Sequence, residues 1–138
     1  MSEEEQREQV LTVITEAFKL CDEYEGILSN MREGTDIYKI NNAAGQPVAV
    51  SDTAIEVIKK GIEYGQLSEG RFDITIGGVS KLWDFHQVDE NGEKTGAVPD
   101  TEVLREAVSH VGYEQIVIEG NTVRLLDPQA QIDLGGIA

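Results

Sequence analysis

Gly70-Arg71-Phe72-Asp73-Ile74-Thr75 sets a glycine, a cation, an aromatic ring and a carboxylate side by side. A loop of that make-up can offer backbone N–H groups and one guanidinium to a phosphate, since the guanidinium fork donates two parallel hydrogen bonds to phosphate oxygens. The same residues also suit a plain turn, in which Asp73 bonds its own backbone and Phe72 enters the core. Asp133-Leu134-Gly135-Gly136 is a second place of interest. Glycines let a backbone carbonyl or amide come close to a ligand or metal, and they equally mark a bulge or tight bend. The common dinucleotide and triphosphate cradles are absent, with no Gly-x-Gly-x-x-Gly after a strand and no Gly-x-x-x-x-Gly-Lys-Ser/Thr. His86 and His110 have no partners at metal-ligand spacing. His110 falls near a predicted helix C-terminus, where partial positive charge is favourable.

The 138 residues are room for one domain, and 40% hydrophobic with 27% charged residues is a globular composition. A net charge of −15 argues against a nucleic-acid partner, which needs a basic surface to displace counterions. It argues equally against direct attraction to anionic lipid, and no apolar run is long enough to insert in a bilayer. An anionic ligand then needs local help from backbone N–H groups, a metal ion or a few placed cations. With one cysteine, Cys21, the chain has no intrachain disulfide and no cysteine-based zinc site.

The elements that must hold these residues follow from periodicity and punctuation. Val10, Ile14, Ala17, Cys21, Tyr24, Leu28 and Met31 recur at alternating steps of four and three, which predicts one long helix with a single apolar face. A coiled coil is the alternative. Cys21 on that face is expected to be an inert core thiol. Val48 to Val50 reads as a short strand, and Ser51 as the N-cap of a helix that carries Ile55, Ile58 and Ile62 on one side. Residues 72–76 alternate and read as strand-like, followed by an apolar patch around Leu82, Trp83 and Phe85. Residues 87–98 read as an exposed loop. Pro99-Asp100 opens a helix with Val103, Leu104, Ala107, Val108 and Val111 inward, and Gly112 closes it. Ile116–Ile118 and Val123–Leu125 flank Gly120-Asn121, a two-residue hairpin signal. Ile132–Leu134 reads as another strand. Helices with antiparallel strands in this order indicate an α+β fold.

Taken in order, these segments resemble the ApbE family, the FAD:protein FMN transferases. Leu28-Ser29 with Thr35-Asp36-Ile37-Tyr38-Lys39-Ile40-Asn41 is similar to one stretch of that family, and Ser68-Glu69-Gly70-Arg71-Phe72-Asp73-Ile74-Thr75-Ile76-Gly77 to its central signature. Leu82-Trp83-Asp84-Phe85, Val111-Gly112-Tyr113 and Ile132-Asp133-Leu134-Gly135-Gly136-Ile137-Ala138 follow in the family's order. The family usually has proline at Gly78, glycine at Asp84 and serine at Thr35. It also has a Met-Gly-Thr strand before the first helix and Lys-Gly-Tyr after the last motif. The chain is therefore expected to be the N-terminal and central part of such a domain, with its C-terminal part absent.

The resemblance implies an ApbE-like α+β fold, a long N-terminal helix packed with further helices on a largely antiparallel sheet. It implies FAD as substrate and magnesium as cofactor. FMN is then attached by a phosphoester bond to a threonine or serine of a target flavoprotein, and AMP is released. By position, Met31, Arg71, Phe72, Asp73 and Asp133 are expected to contact FAD, and the main-chain carbonyl of Gly136 to help hold magnesium. Met31 reads equally as the last core residue of the first helix. The family's remaining magnesium ligands lie in a later segment, so these 138 residues alone are expected to be inactive. A FAD pyrophosphatase and a non-catalytic flavin-binding domain are the alternatives. The family typically works outside the cytoplasm, often on a lipid anchor.

Overall fold

The computed structural model describes residues 1–83, 90–93 and 98–137. Phe85 and His86 lie outside the described residues, as does most of the expected 87–98 loop, of which residues 90–93 are exposed. The chain opens with helix α1 (Glu3–Leu28), started by a capping box in which the Ser2 hydroxyl accepts from the Glu5 N–H and the Glu5 carboxylate accepts from the Ser2 N–H. A short helix α2 (Asp36–Asn41) follows, capped by Thr35. Strand β1 (Val48–Ala49) leads through the Ser51 cap into helix α3 (Asp52–Leu67). Beyond lie the four-residue helix α4 (Gly77–Ser80), helix α5 (Thr101–Ser109) capped by Asp100, a 3-10 turn at Tyr113–Gln115, and strands β2 (Ile116–Glu119) and β3 (Thr122–Leu125).

The sheet is antiparallel throughout, in the order β1-β3-β2. The Gly120-Asn121 hairpin forms as the spacing predicts. Gly120 takes φ +60° at the first loop position, a conformation a side chain would resist. Ile37 and Ile40 of α2, Ile55 and Ile58 of α3, Val123 and Leu125 of β3, and Ile74, Ile132 and Leu134 from irregular segments form the core. Gly61 and Gly65 let two of these layers approach. A Cβ at Gly61 would stand 2.7 Å from the Ile74 side chain, and one at Gly65 2.9 Å from the Tyr113 ring.

Four expectations need correction. The apolar face of α1 is not core: no residue of the helix is buried, and Phe18 is 72% exposed. Its 26 residues make about 39 Å of helix, and only Ile27 and Leu28 at its end pack against the core. Cys21 is accordingly an exposed thiol, not a buried one. Met31 is not the last core residue of that helix, for it lies beyond the helix end and is 77% exposed. On α5, Leu104 and Ala107 turn inward, as does Val111 just past its end, but Val103 and Val108 are about half exposed, because this short helix meets the fold along one narrow stripe.

The fourth correction concerns the two expected strands. Residues 72–76 do not form one: Ile74 and Thr75 are both buried, which no alternating strand allows. Asp73 bonds forward to Thr75 and folds the segment on itself. Residues 132–134 are not a strand either. Among the described residues, an isolated parallel bridge between Ile76 and Gln131 stands just before them, and the Asp133 N–H donates to the Ile74 carbonyl at 2.8 Å.

Candidate functional site

The Asp133 segment is held by a side chain in place of a strand. The Asn41 amide donates to the Ile132 carbonyl at 2.9 Å, and the Asn41 side-chain oxygen accepts the Ile132 N–H at 2.7 Å. This reciprocal pair imitates a strand neighbour across 91 residues of sequence. On the other side, the Gly77 N–H donates to the Gln131 carbonyl at 3.0 Å. A Cβ at Gly77 would lie 2.8 Å from that oxygen, so the approach requires glycine. Asp133 is thereby fixed with one carboxylate oxygen accepting the Gly135 N–H at 2.9 Å and the other accepting the Ser80 hydroxyl at 3.1 Å.

The Arg71 loop is held as firmly. Helix α3 ends with Glu69 at φ +56° and Gly70 at φ +80°, which reverses the chain. The Ser68 hydroxyl then accepts the Phe72 N–H at 2.9 Å. Asp73 serves as the anchor: one oxygen accepts from the N–H and hydroxyl of Thr75, the other from the Tyr113 N–H at 3.0 Å. The Thr75 hydroxyl in turn accepts the Gly112 N–H at 2.7 Å. The turn reading of Asp73 is therefore what the geometry displays, and the same turn shapes a cavity wall.

Between the two loops is a cavity of about 320 Å³, with Arg71, Phe72, Asp73, Asp133, Gly135 and Gly136 in its lining. Five of the six residues expected to hold ligand or metal are thus brought together. Met31 is the one that is not, although its neighbours Ser29 and Asn30 line an adjoining groove that shares Asp133 and Gly135 with the cavity. Arg71 is exposed, and its guanidinium makes no hydrogen bond or ion pair among the described residues. Phe72 stands edge-on to Tyr64, ring centres 6.4 Å apart, and with Gly136 it also walls a more apolar hollow of about 400 Å³.

The oxygen donors at Asp133 and Gly136 are those a hard cation takes, one carboxylate and one main-chain carbonyl. The loop that carries them is bare of side chains where it must be. A Cβ on Gly136 would come within 3.2 Å of the Phe72 ring, and one on Gly135 within 3.1 Å of the Asp133 carboxylate. Magnesium commonly uses one or two carboxylates and completes its shell with substrate phosphates and water, so the donors present fit it. No cluster of three or more His, Cys, Asp or Glu suited to a metal occurs among the described residues.

Residues 3–138 match the sequence model of the ApbE family. The chain belongs to the ApbE family. It is 31% identical over 128 residues to the FAD:protein FMN transferase of Vibrio cholerae, covering 92% of this chain and 37% of that protein. It is 28% identical to the FAD:protein FMN transferase of Treponema pallidum, over 94% of this chain and 36% of the relative. Among solved structures, a mutant of the flavin transferase ApbE from Vibrio cholerae superposes with a TM-score of 0.78 at 30% identity, over 93% of this chain and 43% of that one. The apo flavinyl transferase ApbE of Pseudomonas stutzeri gives 0.75 at 25% identity, over 94% and 39%. The chain thus spans little more than a third of the length of the curated relatives it matches.

Within this ApbE chain, residue-by-residue reading missed the side chains that position the site. Asn41, Thr75, Ser80 and the Gly112 amide all bond into the two loops. Each is an ordinary polar group in sequence, and only its long-range partner reveals its role. Asn41 and Thr75 did lie inside the stretches that carry the family resemblance, which is the one signal that pointed to them.

Proposed function

We propose that this chain forms the front and middle of a magnesium-dependent FAD:protein FMN transferase that modifies a threonine or serine of a target flavoprotein. The observation that carries the reading is the convergence of Arg71, Phe72, Asp73, Asp133 and Gly136 on one cavity. The names of the relatives give the reaction class. In this reading the acceptor hydroxyl oxygen bonds to the FMN phosphorus, the bond from that phosphorus to the bridging oxygen breaks, and AMP leaves with that oxygen. Arg71 donates to the pyrophosphate, offsetting the chain's own negative field. Phe72 gives a flat apolar wall to a ring of FAD. Asp73 holds the loop in shape through Thr75 and Tyr113. Asp133 contacts FAD, and the Gly136 carbonyl would help hold magnesium, which when bound neutralises pyrophosphate charge and polarises the phosphorus under attack. Met31, exposed beside the adjoining groove, supplies an apolar thioether contact to the flavin in this proposal.

The reading also carries a place outside the cytoplasm, which rests on the family resemblance. No helix among the described residues is long and apolar enough to cross a membrane.

The test uses the protein at the length of its relatives, with FAD, magnesium and an acceptor protein that presents a threonine. Intact mass of the acceptor is measured with and without EDTA. An FMN adduct that disappears with EDTA is expected. AMP released without an adduct would replace the transferase by a pyrophosphatase, and neither product would leave a binding domain. The 138 residues alone, which span little more than a third of the length of the curated relatives, are expected to give no adduct.

A further inference from the structure

We propose that His110, held between Asp127 and Glu106, is a positioning residue for the Arg71–Asp73 wall, and that ligand affinity in the cavity follows its protonation. The proposal rests on reading that cavity as the FAD site. His110 caps the C-terminus of α5. Its Nδ1 bonds the Asp127 carboxylate at 2.5 Å, and its Nε2 the Glu106 carboxylate at 3.2 Å. Gln115 closes the ring: its amide donates to the His110 carbonyl at 2.8 Å, and its side-chain oxygen accepts the Asp127 N–H at 3.0 Å. Residues 110–115 are thereby clamped to the turn that follows β3.

The clamped segment reaches the cavity directly. Val111 lines it. The next two amides are the donors noted above, Gly112 to the Thr75 hydroxyl and Tyr113 to Asp73. If the segment shifts, one Asp73 oxygen loses the Tyr113 N–H and the buried Thr75 hydroxyl loses the Gly112 N–H. Both losses fall on the turn that aims Arg71 and Phe72.

Holding both carboxylates at once needs a cation. An imidazolium has two N–H donors, one for each carboxylate, whereas a neutral imidazole has one donor and turns a lone pair toward the second carboxylate. Among the described residues, the charged groups facing His110 are Glu106 on its own helix and Asp127 from beyond β3. Helix α4, which packs against α5, consists of Gly77-Gly78-Val79-Ser80 and brings no charge. The hydrogen bond to Asp127 first, then that to Glu106, holds the His110 pKa above its ordinary 6.5. The hydrogen bond from His110 first, then that from the Gln129 N–H, holds Asp127 below its ordinary 3.8. The clamp is therefore complete between the ordinary carboxylate range and 6.5. It loses one of the two histidine bonds as pH rises through the raised His110 pKa, and the Asp127 charge as pH falls through the lowered Asp127 pKa.

The test measures FAD affinity of the full chain by flavin fluorescence from about pH 6 to about pH 9, the range in which histidine charge is lost. Exchange of the 110–115 amides is measured at the same pH values. Wild type should weaken by about fivefold across the range, the lower end of coupling between linked sites. His110→Gln, which keeps an N–H for Asp127 but does not titrate, should give a flat profile. Glu106→Gln should move the midpoint to lower pH, which a residue that merely fills space would not do. The Gly112 and Tyr113 amides should lose protection in wild type at the same midpoint. A His110→Gln profile that keeps the wild-type midpoint would overturn the proposal, as would amide exchange indifferent to the substitution. FAD that binds at no pH would overturn the FAD reading and the linkage with it, while the exchange data would still judge the clamp.

Discussion

Helix α1 and the Arg71–Asp133 loops are opposites in how they are held. The helix is regular, long and capped, yet among the described residues its apolar stripe stays open to solvent. The loops have almost no regular structure, yet nearly every polar group in them is committed: Asp73 to Thr75 and Tyr113, Asp133 to Ser80 and Gly135, Ile132 to Asn41. Regular structure and firm position are thus separate properties. A helix satisfies its own backbone wherever it goes, whereas an irregular segment in a core must borrow partners from distant residues, and those partners fix where it sits.

The contrast sets an order of sensitivity. Asn41→Ala should have the largest effect, since it leaves the N–H and C=O of buried Ile132 unpaired, a loss of about 3 kcal/mol; urea unfolding would register it, and FAD affinity should fall as Asp133 drifts. Gly61→Val forces a Cβ into Ile74 and should cost about 2 kcal/mol by overpacking in the same measurement. Arg71→Ala should leave the unfolding midpoint unmoved, because the guanidinium is exposed, while weakening FAD binding by about tenfold or more through loss of a charge-assisted hydrogen bond. Phe18→Ser on α1 should change the stability of the 138-residue chain by no more than about 0.5 kcal/mol, as for other surface substitutions. A large loss at Phe18 together with a silent Asn41→Ala would reverse the comparison.

What was legible in the sequence was local. The Gly120-Asn121 hairpin, the Ser51 cap with the Ile55 and Ile58 face of α3, and the Asp100 cap of α5 each depend on residues a few positions apart, and each forms. The strand readings at 72–76 and 132–134 failed because alternation was the only signal available there. The partners that decide those segments, Asn41 for Ile132 and Tyr113 for Asp73, lie 91 and 40 residues away. The α1 stripe was read as core because periodicity reports which face is apolar and not what covers it. Of the site, the residue types and their family positions were legible. That Arg71, Phe72, Asp73, Asp133 and Gly136 share one cavity, and that Met31 stands apart from it, needed the fold.

In the proposed transferase, the cavity between these two loops receives the pyrophosphate of FAD. The most direct measurement is a crystal structure of the full chain with FAD and magnesium. Phosphate density within hydrogen-bonding reach of Arg71, beside Asp133 and the Gly136 carbonyl, is the result expected here. FAD seated along α1 with the Arg71 loop empty would contradict the account.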